Sequence, residues 1–321
     1  MGEMKTIGKS GLQVPAVSFG TSALGDMPDT YGYGVDEARA HATLGAIFAG
    51  PATMIDTSRN YGMGRSEERL GAAIRELGGV PKGFLIATKL DRDFETRAFD
   101  AARARRSFEE SLEALGLSKV QVLHLHDPEY AADFKDVTKK GGALDELFKL
   151  KAEGLCDAVG IAAGKVEIMT PLIRDWDFDA IITHNRFTLI NRNAQGMIDL
   201  AVSRGAAVFN AAPYAGGVFA KGSASYHKVA YQNADDAALA PVRQVEAICA
   251  RFGVPPGAAA LQFSLRDQRI ASTICGVSRP ERVKETLDWA AWPIPAEMWA
   301  ELATVAAATD DPEAKRKYVM G

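Results

Sequence analysis

Short apolar runs rich in β-branched residues alternate along the chain with longer segments of helical periodicity. Each run has the length of a buried strand and is separated from its neighbours by turn or helical residues. Eight strands are predicted in this way, at Ala16–Gly20, Thr53–Asp56, Phe84–Lys89, Val120–His126, Ala158–Ile161, Ala180–His184, Ala206–Asn210 and Thr273–Val277. Two further runs, Met4–Ile7 and Leu12–Val14, flank a glycine-bounded turn and predict an N-terminal β-hairpin.

The segments between the strands carry apolar positions at three- and four-residue steps, which is the period of an α-helix. In one of them, a single face carries Ala104, Phe108 and Leu115. Helices are predicted at Ser66–Glu76, Arg103–Leu115, Leu144–Glu153, Ala194–Arg204 and Ala237–Arg251. Several of them end at glycine, as a helix stop requires.

Strand and helix alternate eight times, and this order predicts an α/β fold in which a parallel sheet closes into a (β/α)8 TIM barrel. An open, doubly wound sheet is the structural alternative. That fold would carry a G-x-G-x-x-G turn after an early strand, and no such turn occurs there. We expect residues 1–321 to form one barrel domain, because no linker composition, repeat or low-complexity tract divides them.

The composition argues against several classes of protein. The 37 basic and 41 acidic residues are mixed along the chain without a basic stripe, so a nucleic-acid partner is not expected. Cys156, Cys249 and Cys275 form no CxxC pair, which favours buried thiols in a reducing compartment. No apolar stretch reaches the roughly 18 residues of a membrane helix, and Met1–Ser10 lacks the apolar run of a secretory signal. We therefore expect a cytoplasmic protein with no membrane partner.

Polar side chains end four of the predicted strands, namely Asp56, Lys89, His126 and His184. Tyr61 follows Asp56 in the next loop. In an α/β barrel, the carboxyl ends of the strands meet at one face, and catalytic groups lie there. We therefore expect these side chains to converge on one site.

The residue types suit proton transfer beside a carbonyl group. A free tyrosine has a pKa of about 10, which is too high for ready proton exchange near neutral pH. A buried ammonium at Lys89 would favour the phenolate of Tyr61 and lower that pKa. Asp56 would supply the counter-charge that a buried lysine needs. His126 would donate a hydrogen bond to a carbonyl or alcohol oxygen.

Five parts of the chain resemble, in order, the signature segments of the aldo-keto reductases: Asp56–Gly62 with Ser66-Glu67, Ala87–Leu90, Ser111–Leu117 with Leu125–Pro128, Thr183–Arg192 and Gly276–Arg282. The resemblance implies a barrel that binds NAD(P) in an extended form across its mouth, without a Rossmann turn. It also implies a catalytic tetrad of Asp56, Tyr61, Lys89 and His126. The implied partner is a small-molecule sugar or carbonyl substrate.

The same resemblance implies a set of cofactor-binding residues: Gly20, Thr21, Asp56, His184, Asn185, Asn210, Ala211, Pro213, Gly276, Val277, Arg279 and Arg282. The nicotinamide end of this set departs from the usual family pattern. Ala162 and Ala163 replace a Ser-Asn pair that holds the amide in many relatives. Ala211 stands where a tyrosine often stacks on the ring, and His184 stands where a glutamine usually contacts the amide.

The phosphate end of the cofactor site also differs from the family pattern. Gly276 replaces a lysine that often clamps the 2′-phosphate of NADP, although Arg279 and Arg282 remain nearby. We therefore expect NAD as the cofactor, with NADP as the alternative. Thr57–Gly62 and His184–Leu189 look most like the bacterial aldose 1-dehydrogenase branch of the family. This branch implies oxidation of an aldose at C1 to a lactone.

Three alternatives to this function follow from the same residues. The first is an NADPH-dependent reductase of small aldehydes or ketones that uses the same site. The second is a metal-dependent barrel hydrolase, since His124 and His126 point to the same face of one strand and His184 is a possible third ligand. That reading leaves Tyr61 and Lys89 without a role. The third is a binding protein without catalytic activity on the same barrel, and the complete tetrad argues against it.

Overall fold

Eight parallel strands close into a barrel in the computed structural model of the chain, which describes residues 4–316. The strands of the described residues are, in chain order, β1 Lys5–Thr6, β2 Gln13–Val14, β3 Val17–Gly20, β4 Met54–Asp56, β5 Leu85–Leu90, β6 Val120–His126, β7 Cys156–Ala162, β8 Ala180–His184, β9 Ala207–Ala211, β10 Lys228–Val229, β11 Gln232–Asn233 and β12 Ile270–Gly276. From β3 to β9, neighbours in the chain are also neighbours in the barrel, and β12 closes it between β9 and β3. The predicted (β/α)8 barrel is confirmed.

The predicted N-terminal hairpin is also present, as β1 paired antiparallel with β2. Ile7 and Val14 are completely buried and join the cluster of side chains that fills the barrel, which also contains Met54 and Leu85 at the amino ends of their strands. The hairpin therefore closes the barrel at the end opposite to the polar residues that terminate the strands.

Helices surround the barrel. They are Pro28–Tyr31, Glu37–Phe48, Arg65–Glu76, Ala101–Leu115, Phe134–Thr138, Ala143–Ala152, Val166–Asp175, Gln195–Ser203, Val218–Lys221, Asp236–Phe252, Pro256–Leu265, Pro280–Ala290 and Ala296–Leu302. Ala101–Leu115 shows why such a segment is helical. The Asp100 carboxylate accepts a hydrogen bond from Arg103 N at 2.8 Å and caps the first turn, and Gly116 ends the helix at a φ of 69°. Its buried face, which includes Phe108, packs in the main hydrophobic core.

The predicted elements match the observed ones closely, with differences at their ends and in the helices of the second half. β7 begins earlier than predicted, at Cys156, and β12 begins at Ile270 instead of Thr273. The helix Val166–Asp175 contains Pro171, which obscures its pattern. The helix Pro256–Leu265 lacks a polar face, because it is largely buried. No helix in residues 4–316 is both long and apolar enough to cross a membrane.

Gly160 provides a test of how tightly the barrel interior is packed. A Cβ at this position would lie 2.4 Å from the carbonyl oxygen of Ala180 and 2.6 Å from Cδ2 of His124. We expect Gly160→Ala to lower the free energy of unfolding by about 1–3 kcal/mol, as overpacking of a core typically does. Urea denaturation of the purified protein measures this change.

Gly45→Ala is the matched control. Gly45 lies within the helix Glu37–Phe48, and a Cβ there has no atom within 4 Å. Alanine in a helix is more stable than glycine by roughly 0.5–1 kcal/mol, so the control is expected to stabilise the protein slightly. Equal unfolding midpoints for the two variants would contradict the packing described here.

Candidate active site

The predicted polar residues converge at the carboxyl ends of the barrel strands. Asp56 ends β4, His126 ends β6 and His184 ends β8, while Lys89 is the penultimate residue of β5. Strand register brings them near one another. Asp56 is paired with Ala87, two residues before Lys89, and Lys89 is paired with His124, two residues before His126. All four of these residues line one cleft together with Tyr61.

Tyr61 reaches the cleft because its loop is pressed against the loop that follows β3. Gly62 has a φ of 64°, and a Cβ there would lie 1.8 Å from the carbonyl oxygen of Gly25. Only glycine permits so close a backbone approach. The turn is held at its other end by Ser66, whose amide donates to the carbonyl of Tyr61 at 3.2 Å.

Lys89 is the centre of the site. It is 1% exposed, and its ammonium donates to both carboxylate oxygens of Asp56, at 2.9 and 2.8 Å. It also donates to the carbonyl of Thr57 at 2.6 Å and to the phenolic oxygen of Tyr61 at 3.0 Å. The buried charge is thus paired and fully hydrogen-bonded, and Tyr61 is fixed against it.

The pKa of Tyr61 differs from the sequence-based expectation. Burial of the phenol, followed by the charge of Asp56, raises its pKa well above 10. The net shift is therefore opposite in direction to the lowering expected from Lys89. The physical reason is that Asp56 already balances the lysine charge, while burial disfavours the phenolate. Tyr61 holds its proton at neutral pH.

His126 completes the cluster and brings in a residue that the sequence analysis missed. Its Nδ1 lies 2.6 Å from a carboxylate oxygen of Asp91, and its ring meets that of Tyr61 edge-on with a centroid distance of 5.8 Å. Asp91 is completely buried. It belongs to no signature segment, but it lies two residues after Lys89, at the spacing that places side chains on one face of a strand. That spacing was the available signal.

The cleft contains a cavity of about 160 Å³. Six of its lining residues, called here the small-residue wall, have little or no side chain: Gly20, Ala162, Ala163, Ala211, Ala212 and Gly276. Tyr31 and Tyr231 line another part of the cleft, with their rings edge-on at a centroid distance of 5.8 Å. Space for a flat ligand therefore lies directly beside Tyr61.

A second cavity continues from the first and leads to cationic side chains. The two share Gly276 and Ala212, and the second also reaches Lys221 and Arg282. The ammonium of Lys221 lies over the ring of Tyr226 at 3.8 Å, and no ion pair joins it to a carboxylate within residues 4–316. Burial, followed by the charge of Arg282, lowers its pKa to about 8. An anionic ligand group would supply the missing counter-charge.

The structure divides the predicted cofactor residues into two groups. Gly20, Asp56, His184, Ala211, Gly276 and Arg282 line the two cavities. The others lie away from them: Thr21, Asn185, Asn210, Pro213 and Val277 are buried, and Arg279 is exposed just before the helix Pro280–Ala290. The Asn210 amide illustrates this second group, because it donates to the carbonyl of Phe187 at 2.9 Å and to the Ser264 hydroxyl at 2.8 Å. The Asn210 side chain therefore stabilises the fold.

The segment near the C-terminus adds two residues that the sequence analysis did not identify. The carboxylate of Glu313 lies 3.1 Å from Nε2 of His184 and accepts from Asn185 Nδ2 at 2.9 Å and Arg186 Nη1 at 3.2 Å. Arg316 pairs with the same carboxylate at 2.6 Å and lines the cleft. No local pattern signals the contacts of Glu313 with Asn185 and Arg186, because more than a hundred residues separate the partners.

His124 does not take part in the cleft. It is completely buried inside the barrel, with its ring 6.1 Å from that of Phe209. Burial, followed by the charge of Lys89, lowers its pKa well below 6.5. Within residues 4–316, no group of three or more histidine, cysteine or acidic side chains is arranged to hold a metal ion. His124 and His126 therefore have separate environments.

Comparison with known proteins agrees with this site. The profile of the Aldo/keto reductase family matches residues 16–307. A D-threo-aldose 1-dehydrogenase from Pseudomonas sp is 30% identical, with 92% of this chain and 94% of that protein covered. An L-galactose dehydrogenase from Arabidopsis thaliana is 31% identical, with 89% and 87% covered. The holo form of an aldo-keto reductase from Bacillus halodurans has the same fold, with a TM-score of 0.77, 19% identity and coverage of 98% of this chain and 99% of that one.

The chain belongs to the Aldo/keto reductase family, whose members are NAD(P)-dependent oxidoreductases. The resemblance seen in the sequence is therefore confirmed, and so is the expectation of a nicotinamide-dependent enzyme. Family membership sets aside the hydrolase. The relatives at 30% and 31% identity, both named as dehydrogenases, set aside the non-catalytic binding protein. The small-molecule substrate is a carbonyl compound or sugar, consistent with the family.

Glu313 provides a test of how the C-terminal segment is anchored. Burial alone would raise its pKa, but the charge and hydrogen bond of His184, with the charges of Arg186 and Arg316, lower it well below 4.5. We expect Glu313→Gln to lower the free energy of unfolding near pH 7 by about 3 kcal/mol, because it leaves buried cations without their counter-charge. Urea denaturation at several pH values measures the effect.

The sign of the pH dependence follows from the lowered pKa. The stabilisation by ionised Glu313 is complete above its unfolded pKa and is lost as the pH falls towards its folded pKa. The difference in the free energy of unfolding between the wild type and Glu313→Gln is therefore expected to become smaller at about pH 3. Glu301→Gln, which breaks the exposed pair with Arg251, is the control and is expected to cost less than about 1 kcal/mol. A pH-independent difference for Glu313→Gln would contradict the assignment.

Proposed function

We propose that this protein oxidises an aldose at C1 to a lactone with NAD, using Tyr61, Lys89, Asp56 and His126. The contact of the Lys89 ammonium with both Tyr61 and Asp56, at the edge of an open cleft, carries this proposal. The two relatives at 30% and 31% identity, both named as sugar dehydrogenases, support the choice of substrate class.

The residues of the cleft fit a nicotinamide cofactor. The small-residue wall leaves room for a flat ring next to Tyr61, and the second cavity offers Lys221 and Arg282 to phosphate groups. The nicotinamide ring, when bound, accepts or delivers the hydride. His184, held by Glu313 at 3.1 Å, is the side chain placed to contact the amide. The predicted cofactor residues whose side chains do not line the cavities would contribute to cofactor binding through their backbone groups.

Gly276 supports NAD over NADP. It is exposed at the carboxyl end of β12, and nothing lies within 4 Å of where its Cβ would be. A lysine at this position would place a cation beside a 2′-phosphate, and glycine provides none. Losing one charged hydrogen bond costs roughly 1.5–3 kcal/mol, which corresponds to about a ten- to hundredfold preference.

Each residue of the tetrad has a separate task in the proposed reaction. Tyr61 exchanges a proton with the oxygen on C1, and His126 holds that oxygen in line through Nε2. Lys89 fixes the phenol by its hydrogen bond and Asp56 fixes Lys89. Because the pKa of Tyr61 is raised, oxidation requires the phenol to lose its proton and is favoured by high pH.

The same raised pKa supports a second candidate function. A phenol that keeps its proton at neutral pH is suited to donate it to a carbonyl oxygen. NADPH-dependent reduction of small aldehydes or ketones uses the same four residues in the opposite direction. Arg282, which lines the second cavity, would then replace the missing phosphate-clamping lysine.

Tyr61→Phe tests the proton-transfer residue. The variant keeps the ring but removes the hydroxyl, so hydride transfer is expected to stop while cofactor binding is retained. The measurements are steady-state turnover and a fluorescence titration with reduced cofactor. Turnover within tenfold of wild type, equivalent to a barrier change of less than about 1.4 kcal/mol, would contradict the assignment. Tyr226→Phe, whose hydroxyl donates to the Gly216 carbonyl, is the matched control and is expected to stay active.

A panel of substrates and cofactors tests the overall proposal. Aldoses are offered with NAD and with NADP, and absorbance of the reduced nicotinamide is followed. Lactone formation with higher kcat/KM for NAD than for NADP is expected. If NADP gives the higher value, the cofactor assignment fails. If simple aldehydes are reduced well and every sugar is ignored, the reductase is the correct function.

A further inference from the structure

We propose that Asp91 is a positioning residue that fixes a proton on Nδ1 of His126, so that Nε2 can donate to substrate only when the ring carries a second proton. The inference rests on the proposed function, since it concerns the oxygen that His126 holds. It makes the rate of carbonyl reduction depend on the protonation of one histidine. The sequence analysis assigned Asp91 no task.

The hydrogen bonds around Asp91 determine which atoms carry protons. One carboxylate oxygen accepts from the Asn60 amide at 3.0 Å and from the Ser58 hydroxyl at 2.7 Å. The other oxygen lies 2.6 Å from Nδ1 of His126. A backbone amide can only donate, so the first oxygen must be an acceptor. Burial alone would raise the pKa of Asp91, but the charge and hydrogen bond of His126, with the Ser58 hydroxyl, lower it below 3.8.

An ionised Asp91 requires a donor at Nδ1 of His126. The Ser58 oxygen, at 3.1 Å from the same nitrogen, has already given its proton to Asp91 and is a second acceptor there. Nδ1 therefore faces two acceptors and carries a proton in every ionisation state of the ring. Any further proton on His126 is held by Nε2.

The chemistry at Nε2 follows from this constraint. When His126 is neutral, Nε2 has a lone pair and cannot donate to a substrate oxygen. When His126 is cationic, Nε2 carries a proton and donates to a carbonyl oxygen. Cationic His126 therefore favours binding of the carbonyl substrate.

The groups around His126 determine the pH at which its ring changes from cationic to neutral. The titratable and charged side chains that face it from its own strand and from the neighbouring elements are Asp91, Asp127, Lys89, His124 and Tyr61, with Asp56 behind Lys89. Burial alone would lower the pKa of His126, but the charges of Asp127 and Asp91 and the hydrogen bond of Asp91 raise it above 6.5. The transition is therefore expected at a pH above the ordinary pKa of histidine.

Asp91→Asn reverses the arrangement without changing the shape of the side chain. The Asn60 amide still requires an acceptor, so the amide oxygen at position 91 faces it and the NH2 group faces His126. Nδ1 must then present a lone pair, and the proton of the neutral ring moves to Nε2. The variant histidine donates to a carbonyl without a second proton. A wrong histidine tautomer after the same substitution is known from the serine protease triad.

The pH profile of kcat/KM is the first measurement. For the wild type, carbonyl reduction is expected to fall by about tenfold per pH unit above the pKa of His126. In Asp91→Asn this descending limb is expected to disappear, because Nε2 of the neutral ring donates without a second proton. Asp93→Asn is the matched control, since its carboxylate instead accepts from the Thr96 amide at 2.8 Å. An Asp91→Asn profile that overlays the wild-type profile would overturn the proposal.

Nitrogen NMR of the ring provides a readout that needs neither substrate nor cofactor. The chain contains five histidines, so ¹⁵N-histidine labelling gives few signals, and His126→Gln identifies the relevant ring. In the wild type, Nδ1 is expected to stay protonated from acid to alkaline pH while Nε2 titrates. In Asp91→Asn, Nε2 is expected to hold the proton of the neutral ring.

The wild-type spectrum decides the question even if Asp91→Asn does not fold. A neutral wild-type ring with its proton on Nε2 and a lone pair on Nδ1 would overturn the proposal. Failure of the proposed function is distinguishable from this result. A protein that oxidises no sugar, but shows the expected nitrogen signals, keeps the assignment of Asp91 and loses only the substrate.

Discussion

The buried ion pair between Lys89 and Asp56 is the interaction on which the active site depends. Removing an ammonium and a carboxylate from water is costly, and only close pairing with further hydrogen bonds offsets that cost. The ammonium of Lys89 meets both requirements, since it also donates to Thr57 and Tyr61. The register of β4 and β5 pairs Asp56 with Ala87, and Lys89 follows Ala87 by two residues on the same face of β5. The phenol of Tyr61 is fixed because the lysine beside it cannot move.

The same pairing explains why the free enzyme favours a protonated tyrosine. The charge of Lys89 is shared with Asp56, so burial dominates at the phenol and raises its pKa. At His126 the balance is the opposite, because the carboxylates of Asp91 and Asp127 outweigh burial and raise the pKa of a base. Two neighbouring groups therefore hold protons for different reasons, one through burial and the other through nearby negative charge.

The cleft depends on contacts between residues that lie far apart in the chain. Glu313, in the C-terminal segment, pairs with His184 and Arg186 at the end of β8. Arg316, from the same segment, lines the cleft. The small-residue wall draws on β3, β7, β9 and β12, and each of these strands contributes a residue with little or no side chain. Open space beside Tyr61 is therefore a property of the closed barrel.

The sequence by itself determined the order of strands and helices, the hairpin, the barrel and the convergence of Asp56, Tyr61, Lys89, His126 and His184. These follow from local periodicity and from the rule that parallel strands of a barrel end at one face. Largely buried elements, such as the helix Pro256–Leu265, were not predicted, because they lack the polar face by which a helix is recognised in a sequence.

Only the tertiary structure decided the environment of these residues. The proton on His126 depends on Asp91, the position of His184 depends on Glu313, and the pKa of Tyr61 depends on burial. A pKa is the sum of desolvation and of charges within a few ångströms. Neither the desolvation nor the nearby charges can be read from the sequence, because the residues that produce them become neighbours only after folding.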